Sequence, residues 1–438
     1  MQSIRIGLLG SGTVGAGVIK ILKENRELLQ ARTGVDLVLK WVADIDPRRA
    51  DVLAIPREAF TTDAHQVIQD PEVDIVVEMI GGQTTAKDLI LEAFSRGKPV
   101  ITANKALLAE QGSTILEAAQ RHGADLGYEA AIGGCMPIVK TLREALVGNR
   151  VQGMTGILNG TCNYILTKIT DEGIEFNNAL ARAQEHGYAE ADPFLDVEGH
   201  DAAHKLALLS SLAYGMALNF KDIYIEGITH ITPRDIALAG QFGYRIKLLA
   251  ISKREGDRVQ ARVHPTMIPF DNLLSNVNGT LNAVTVSGDA VGEILLHGHG
   301  AGMLPTASAV VSDIADMARN LVHGAAGRIP ILAYQNQAIA QIPVMPIEEL
   351  ETHYYFRFAA LDRPGVLSSI SGVLGEEGIS IQSVQQTGRK SNGSVPIVML
   401  THLAREANVR RALARIDRLD VVSARPVLIR IEDSDPCC

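Results

Sequence analysis

The chain of 438 residues is poor in cysteine, in net positive charge and in long apolar runs, and each shortage excludes something. Only four cysteines occur, and Cys437 and Cys438 stand together at the end, so no disulfide framework is expected. The net charge of -9 argues against a nucleic-acid partner, which would favour a basic face. No apolar run approaches the roughly 18 residues that a membrane span needs. The opening MQSIRIGLLGSG enters a strand pattern at once, without the basic, apolar and small-residue layout of a signal peptide. What remains is ordinary globular composition, 46% hydrophobic and 21% charged, long enough for two or three domains. A cytoplasmic protein without membrane or nucleic-acid partners is expected.

The first 130 residues alternate strand and helix patterns. IRIGLLGSGTVGAGVIKIL runs from an apolar strand through Gly10, Gly12 and Gly15 into an amphipathic helix. That glycine spacing is informative because a strand precedes it and a helix follows. Backbone without side chains can there approach a pyrophosphate at the positive helix end. Further strands are read in VDLVLKWVADID, VDIVVEMIGG, KPVITANK and ADLGYEAAIGG, which together predict a parallel sheet covered on both faces. Ligands of such sheets sit beyond the carboxyl ends of the strands, where Asp44, Gly81-Gly82 and Lys105 fall. Asp44 suits a ribose hydroxyl and hence NAD. Arg48 and Arg49 just after it suit the 2'-phosphate of NADP, which is placed slightly ahead.

Residues 131–335 mix strands and long helices and are read as a second α/β domain that supplies substrate binding and subunit pairing. Its last helix, about 305–325, is expected to return to the nucleotide domain, with Gly302 facing the nucleotide. The stretch YAEADPFLDVEGHDAAHKLALL crowds Glu190, Asp192, Asp196, Glu198 and Asp201 together with His200, His204 and Lys205. Asp201 and Lys205 share one helix face and would make a weak exposed ion pair if nothing else engaged them. HDAAH is close to a zinc-binding helix pattern but has aspartate where those proteases use glutamate. A proton-transfer site fits better. Carbonyl reduction by a nicotinamide needs an acid for the developing alkoxide, and a lysine can serve, its ordinary pKa being about 10.4. Carboxylates beside it would bind a substrate ammonium group.

Six stretches, GLLGSGTVGAGV, VITANKALL, YEAAIGGCMPI, ILNGTCNYIL, GYAEADPFLDVEGHDAAHKLALL and GHGAGMLPTASAVVSDI, resemble homoserine dehydrogenases in sequence and order. The resemblance implies reversible NAD(P)H-dependent reduction of L-aspartate 4-semialdehyde to L-homoserine, in threonine and methionine biosynthesis. It implies Lys205 as proton donor and Lys105 as a second lysine at substrate and nicotinamide. Glu190 and Asp201 would bind the amino group, with Asp196 supporting the pocket. Thr13 and Val14 would join Gly10, Gly12 and Gly15 at the phosphates. Glu129 and the carbonyls of Ile132, Gly134 and Met136 would hold a monovalent cation, usually sodium, which an all-oxygen set suits.

Residues 336–352 lose periodicity and read as a linker. Residues 353–432 follow the β-α-β-β-α-β order of a ferredoxin-like unit and resemble an ACT regulatory domain, most clearly in LDRPGVLSSISGVL. The resemblance implies an amino-acid effector, L-threonine, near Asp362–Gly365; the other reading is a pairing module without ligand. A homo-oligomer, dimer or tetramer, is expected. Two rival functions are an acylating dehydrogenase using Cys135 or Cys162 as nucleophile, and a sensor without catalysis.

Overall fold

The computed structural model describes residues 2–386 and 394–433; the terminal cysteine pair lies outside the described residues. Six strands, β1 (Ser3–Leu9), β2 (Asp36–Ala43), β3 (Phe60–Thr61), β4 (Ile75–Glu78), β5 (Val100–Thr102) and β6 (Leu126–Gly127), form one sheet in the order β3-β2-β1-β4-β5-β6. Every pairing is parallel. The apolar run of β4 is buried throughout, as a strand covered on both faces should be. The strand order is that of dinucleotide-binding domains, and it reverses between β1 and β4, which opens a crevice at their carboxyl ends. The two-residue β3 was not predicted, being too short to leave a periodic signal.

The turn after β1 fixes where the following helix, Thr13–Glu24, begins. Gly10 has φ +91°, and a Cβ on Gly15 would stand 2.1 Å from the Gly10 carbonyl oxygen. Helix Met303–Val322 leaves the second half of the chain and packs against Thr13–Glu24. Contact is close at Gly17, where a Cβ would lie 2.7 Å from Met303 O, and Ala307, Val310 and Ile314 share a core with Val18 and Leu22.

Among the described residues the second sheet has eleven strands. β7 (Val151–Ile157), β8 (Tyr224–Ile225), β9 (Tyr244–Glu255), β10 (Arg258–Pro269), β11 (Leu281–Gly288) and β12 (Gly292–His299) come from the middle of the chain. β13 (Glu351–Leu361), β14 (Ile381–Gln386), β15 (Ser394–Thr401), β16 (Ala404–Arg405) and β17 (Val422–Ile431) come from its end. The latter, with helices Val366–Glu376 and Glu406–Ile416, form the ferredoxin-like unit in the order β17-β13-β15-β14. Unforeseen from sequence, this unit is not a separate body on a tether. β17 pairs in parallel with β10 through Thr266–Arg430 and Met267–Ile431, making one continuous sheet. Residues 336–352 run along the same body, with Ala217 N donating to Ala340 O at 2.9 Å and Met345 N to Val259 O at 2.8 Å.

Helix His200–Tyr214 lies inside this assembly, with every residue from Asp201 to Tyr214 buried. It rests on β9, β10 and helix Lys105–His122, so it touches both sheets' domains. Its N-cap, Gly199, has φ +85°, a conformation that favours glycine.

Candidate active site

Asp201 and Lys205, one turn apart on that helix, are 8% and 7% exposed, so their contact is no surface ion pair. Lys205 Nζ donates to Asp201 Oδ2 at 2.8 Å and to Leu158 O at 2.6 Å. Lys105, at the start of helix Lys105–His122 beyond β5, brings its Nζ to 3.0 Å from Asp201 Oδ1. One carboxylate therefore holds two lysines, one at each oxygen. Burial alone would raise the Asp201 pKa. The charges of Lys205 and Lys105, with hydrogen bonds from Lys205 and Asn159, hold it well below the usual carboxylate range. The Asp201 charge raises Lys105 above its ordinary value against burial, and Asp196 and Glu190 add to the effect.

Asn159 is the residue that the sequence reading missed. As N-cap of helix Gly160–Glu172 it accepts from Cys162 N at 2.8 Å through its carbonyl oxygen. Its amide nitrogen donates to Asp196 Oδ1 at 2.7 Å and to Asp201 Oδ2 at 2.9 Å. The signal was present in ILNGT, where an asparagine precedes a helical pattern. What could not be read is that the other half of its amide spans two distant carboxylates. Asp196 is raised by burial and then by the Asp201 charge, with the Asn159 bond opposing. Glu190 is exposed at the rim.

The other acidic residues and the histidines of this stretch serve elsewhere. Asp192 accepts from Phe194 N, and Glu198 from Thr229 Oγ1. His204 sits against Phe220 and Glu110, and His200 stacks on Phe194. Among the described residues no group of three or more His, Cys, Asp or Glu side chains is placed to hold a metal ion, so the zinc alternative loses its ligands. Cys162 is buried, its Sγ donates to Asp196 O at 3.0 Å, and burial followed by the Asp196 charge pushes the thiol well up. That is the opposite of an activated nucleophile.

On the nucleotide side, Gly12 caps helix Thr13–Glu24, and a Cβ there would meet nothing within 4 Å. This open space above the first-turn amides of Thr13 and Val14 fits a pyrophosphate. Gly302 caps the helix that packs beside it. Asp44 is engaged by the glycine turn itself: its Oδ2 accepts from Ser11 N at 2.8 Å and Ser11 Oγ at 2.6 Å. Arg48 pairs with Asp46, and Arg49 donates to Ser11 O.

Glu129 is 2% exposed and accepts from Val139 N at 2.8 Å and Lys140 N at 2.9 Å. Burial, then the charge of Asp313, pushes it up to about 7. Ile132 ends the short helix Glu129–Ile132, and Gly134 and Met136 lie in the turn that follows. Lys140, 3.8 Å from Asp313, offsets only part of the charge of this buried carboxylate pair, and the oxygen donors around Glu129 are of the type that suits a further hard cation.

A dinucleotide fold whose crevice faces two lysines and a set of carboxylates defines a nicotinamide-dependent oxidoreductase for a small polar substrate. Comparison with known proteins narrows the class. Residues 10–129 match the family "Homoserine dehydrogenase, NAD binding domain", residues 137–315 match "Homoserine dehydrogenase", and residues 354–421 match "ACT domain". The homoserine dehydrogenase of Pseudomonas aeruginosa is 44% identical over 99% of both chains, and that of Neisseria gonorrhoeae 43% identical over the same shares. The crystal structure of a homoserine dehydrogenase from Thiobacillus denitrificans superposes with a TM-score of 0.94 at 45% identity, covering 99% of each chain. That of the Staphylococcus aureus enzyme gives 0.75 at 32% identity over 99% of each chain. The chain belongs to the homoserine dehydrogenase family, NAD(P)-dependent oxidoreductases of amino-acid biosynthesis, and carries a C-terminal ACT domain.

Proposed function

We propose that the chain interconverts L-aspartate 4-semialdehyde and L-homoserine with Lys205 as the proton donor. The observation that carries this reading is the pair of lysines held by Asp201 at the mouth of the nucleotide crevice. A bound reduced nicotinamide supplies the hydride. Lys205 gives the alkoxide oxygen its proton, and its ammonium charge stabilises the oxyanion as it forms. Asp201 and the Leu158 carbonyl accept two of the three Nζ protons and leave the third for the substrate oxygen. Lys105 belongs to the nucleotide domain and serves substrate and nicotinamide together.

Three carboxylates, Glu190, Asp196 and Asp201, face two lysines, and the negative charge left over suits a substrate ammonium. Because the lysines and Asn159 occupy Asp201, Glu190 carries most of that ammonium recognition, with Asp196 beside it. Gly10, Gly12, Thr13, Val14 and Gly15 hold the phosphates, with Gly302 alongside and NADP preferred to NAD. Glu129 with Ile132, Gly134 and Met136 would hold sodium, which would neutralise that buried carboxylate. The ACT domain, with the turn Asp362–Gly365 at the start of helix Val366–Glu376, would take L-threonine as effector. Residues 1–130, 131–335, 336–352 and 353–432 are taken as the functional units of a cytoplasmic dimer or tetramer.

The test is the absorbance of reduced nicotinamide when the protein meets L-homoserine at alkaline pH, with NAD and NADP in parallel and with L-threonine added or omitted. Turnover with NADP ahead of NAD, suppressed by threonine, is expected. No reduction by folded protein with either nucleotide would remove the catalytic reading. Turnover indifferent to threonine would remove the effector.

A further inference from the structure

The joint between the ACT domain and the catalytic body is ionic, and one of its contacts leads to the substrate carboxylates. Arg430 on β17 is 2% exposed. Its guanidinium forks onto Glu406 of helix Glu406–Ile416, Nη2 to Oε1 at 2.5 Å and Nε to Oε2 at 3.0 Å. Tyr354 OH completes that carboxylate at 2.9 Å. The remaining nitrogen leaves the ACT domain: Nη1 donates to Glu226 Oε2 at 2.7 Å, and Nη2 reaches Tyr224 OH at 3.2 Å. Strand β8, which holds Tyr224, pairs with β10 at Arg262–Val263, on the strand where β17 pairs at Thr266–Met267.

The residues after β8 grip the corner that carries the pocket. Ile228 N donates to Val197 O at 2.8 Å, and Thr229 Oγ1 to Glu198 Oε1 at 3.1 Å. A Cβ on Gly227 would lie 2.4 Å from Val197 O and 2.6 Å from the Glu198 Cα, so backbone rests directly on backbone. At Gly199 a Cβ would come within 3.3 Å of Ile225. This corner, Val197–Gly199, has Asp196 on one side and Asp201 on the other, and Asn159 ties the two together. Other ion pairs across the same interface, Arg357 with Asp235 and Glu432 with both Lys253 and Arg262, do not involve residues 224–230.

We propose that Arg430 is a positioning residue for the substrate carboxylates, acting through Glu226 and residues 227–229 on the corner between Asp196 and Asp201. A buried ionic network adds little net stability over an apolar one, because desolvation offsets the attraction. Its consequence here is geometric: it sets where loop 224–230 stands, and the loop sets the corner. The ACT domain thereby supports the active site directly, and a displacement of β17 or of helix Glu406–Ile416 reaches the pocket through the contacts of Arg430 and Arg410 with Glu226 and Tyr224. The proposal rests on Asp196 and Asp201 lining the substrate pocket.

The test uses the full chain and four variants. Glu226→Gln removes the ionic joint and leaves Arg430 paired with Glu406. Tyr224→Phe weakens the same joint while keeping the ring, and serves if the first variant folds poorly. Glu432→Gln breaks the neighbouring contact as a control for a loosened interface. Asp196→Asn tests the pocket itself. In Glu226→Gln or Tyr224→Phe the KM for L-homoserine is expected to rise roughly two- to thirtyfold, the range of coupling through such networks, with the nucleotide KM held within about twofold. Glu432→Gln should lower the melting temperature without that selective rise. Any other pattern overturns the proposal, including parallel changes in both KM values or the same selective rise in Glu432→Gln. An unchanged KM in Asp196→Asn removes the pocket reading and the proposal with it. A raised KM there with none in Glu226→Gln removes the proposal alone.

Discussion

Lys105 and Asp201 meet at 3.0 Å across the boundary between the nucleotide sheet and the catalytic helix. The contact joins the end of β5, where a nicotinamide would lie, to the residue that also holds Lys205 at 2.8 Å. A single buried carboxylate thus sets the spacing of two ammonium groups, and the two halves of the chain share one charge cluster. Asp196 and Glu190 add their charge to that of Asp201, so the buried Lys205 and the half-buried Lys105 are both tolerated as cations.

If Lys205 is the acid, Lys205→Ala lowers turnover by about 10² to 10⁴, the usual contribution of a positioned proton donor. Nucleotide affinity, followed by fluorescence of the reduced cofactor, should stay unchanged because Lys205 touches Leu158 and Asp201 rather than the glycine turn. An unaltered rate in Lys205→Ala would reduce the residue to a structural ion pair.

Asp201 gives the cluster a pH signature. Its folded-state pKa is depressed, so its contribution to stability is present above the unfolded value of 3.8 and is lost as pH falls below that value. Asp201→Asn should therefore cost on the order of 3–5 kcal/mol near neutral pH, because it leaves the buried Lys205 without its carboxylate. The gap to the parent protein should narrow once pH drops below about 4, where the parent loses the contribution too. Denaturant titrations of both proteins across that range check this. A gap independent of pH would show that Asp201 acts by packing alone.

The glycine turn separates a folding role from a binding role within one motif. At Gly15 a Cβ would collide with the Gly10 carbonyl oxygen at 2.1 Å, whereas at Gly12 it would meet nothing. Gly15→Ala is expected to lower the melting temperature. Gly12→Ala should fold as well as the parent yet weaken nucleotide binding, since its methyl group enters the space taken by the pyrophosphate. Equal nucleotide affinity in Gly12→Ala would place the phosphates elsewhere.

Much of this was legible in the sequence, for reasons that differ by region. Buried parallel strands leave apolar runs, and the glycine spacing needs a strand before it and a helix after it, so β1, β2 and β4 and their turns could be read directly. Asp201 and Lys205 were legible because helical spacing puts them on one face. Lys105 was legible as a residue beyond a strand end, but its contact with Asp201 was not, since nothing local encodes which strand end meets which helix. The continuity of β10 with β17 was not legible at all. Two strands pairing over a pair of residues leave no trace in either one's pattern, and an irregular stretch with two prolines before β13 reads as a tether even when it lies against the body.

Asn159 offers the sharpest test of how the site is built, because its side chain does two separable things. Its carbonyl oxygen caps helix Gly160–Glu172, and its amide nitrogen bridges Asp196 and Asp201. Asn159→Ala loses both and should cost about 0.5–2 kcal/mol from the cap alone. Asn159→Asp keeps an oxygen for Cys162 N but turns the bridging donor into a third carboxylate facing two others. If bridging matters, the KM for L-homoserine should rise further in Asn159→Asp than in Asn159→Ala, although the aspartate is the better cap. The excess should shrink as pH falls, when protonation restores a donor to the cluster. If capping were the whole role, Asn159→Asp would match the parent in both stability and KM, and steady-state kinetics on the two variants decide between these outcomes.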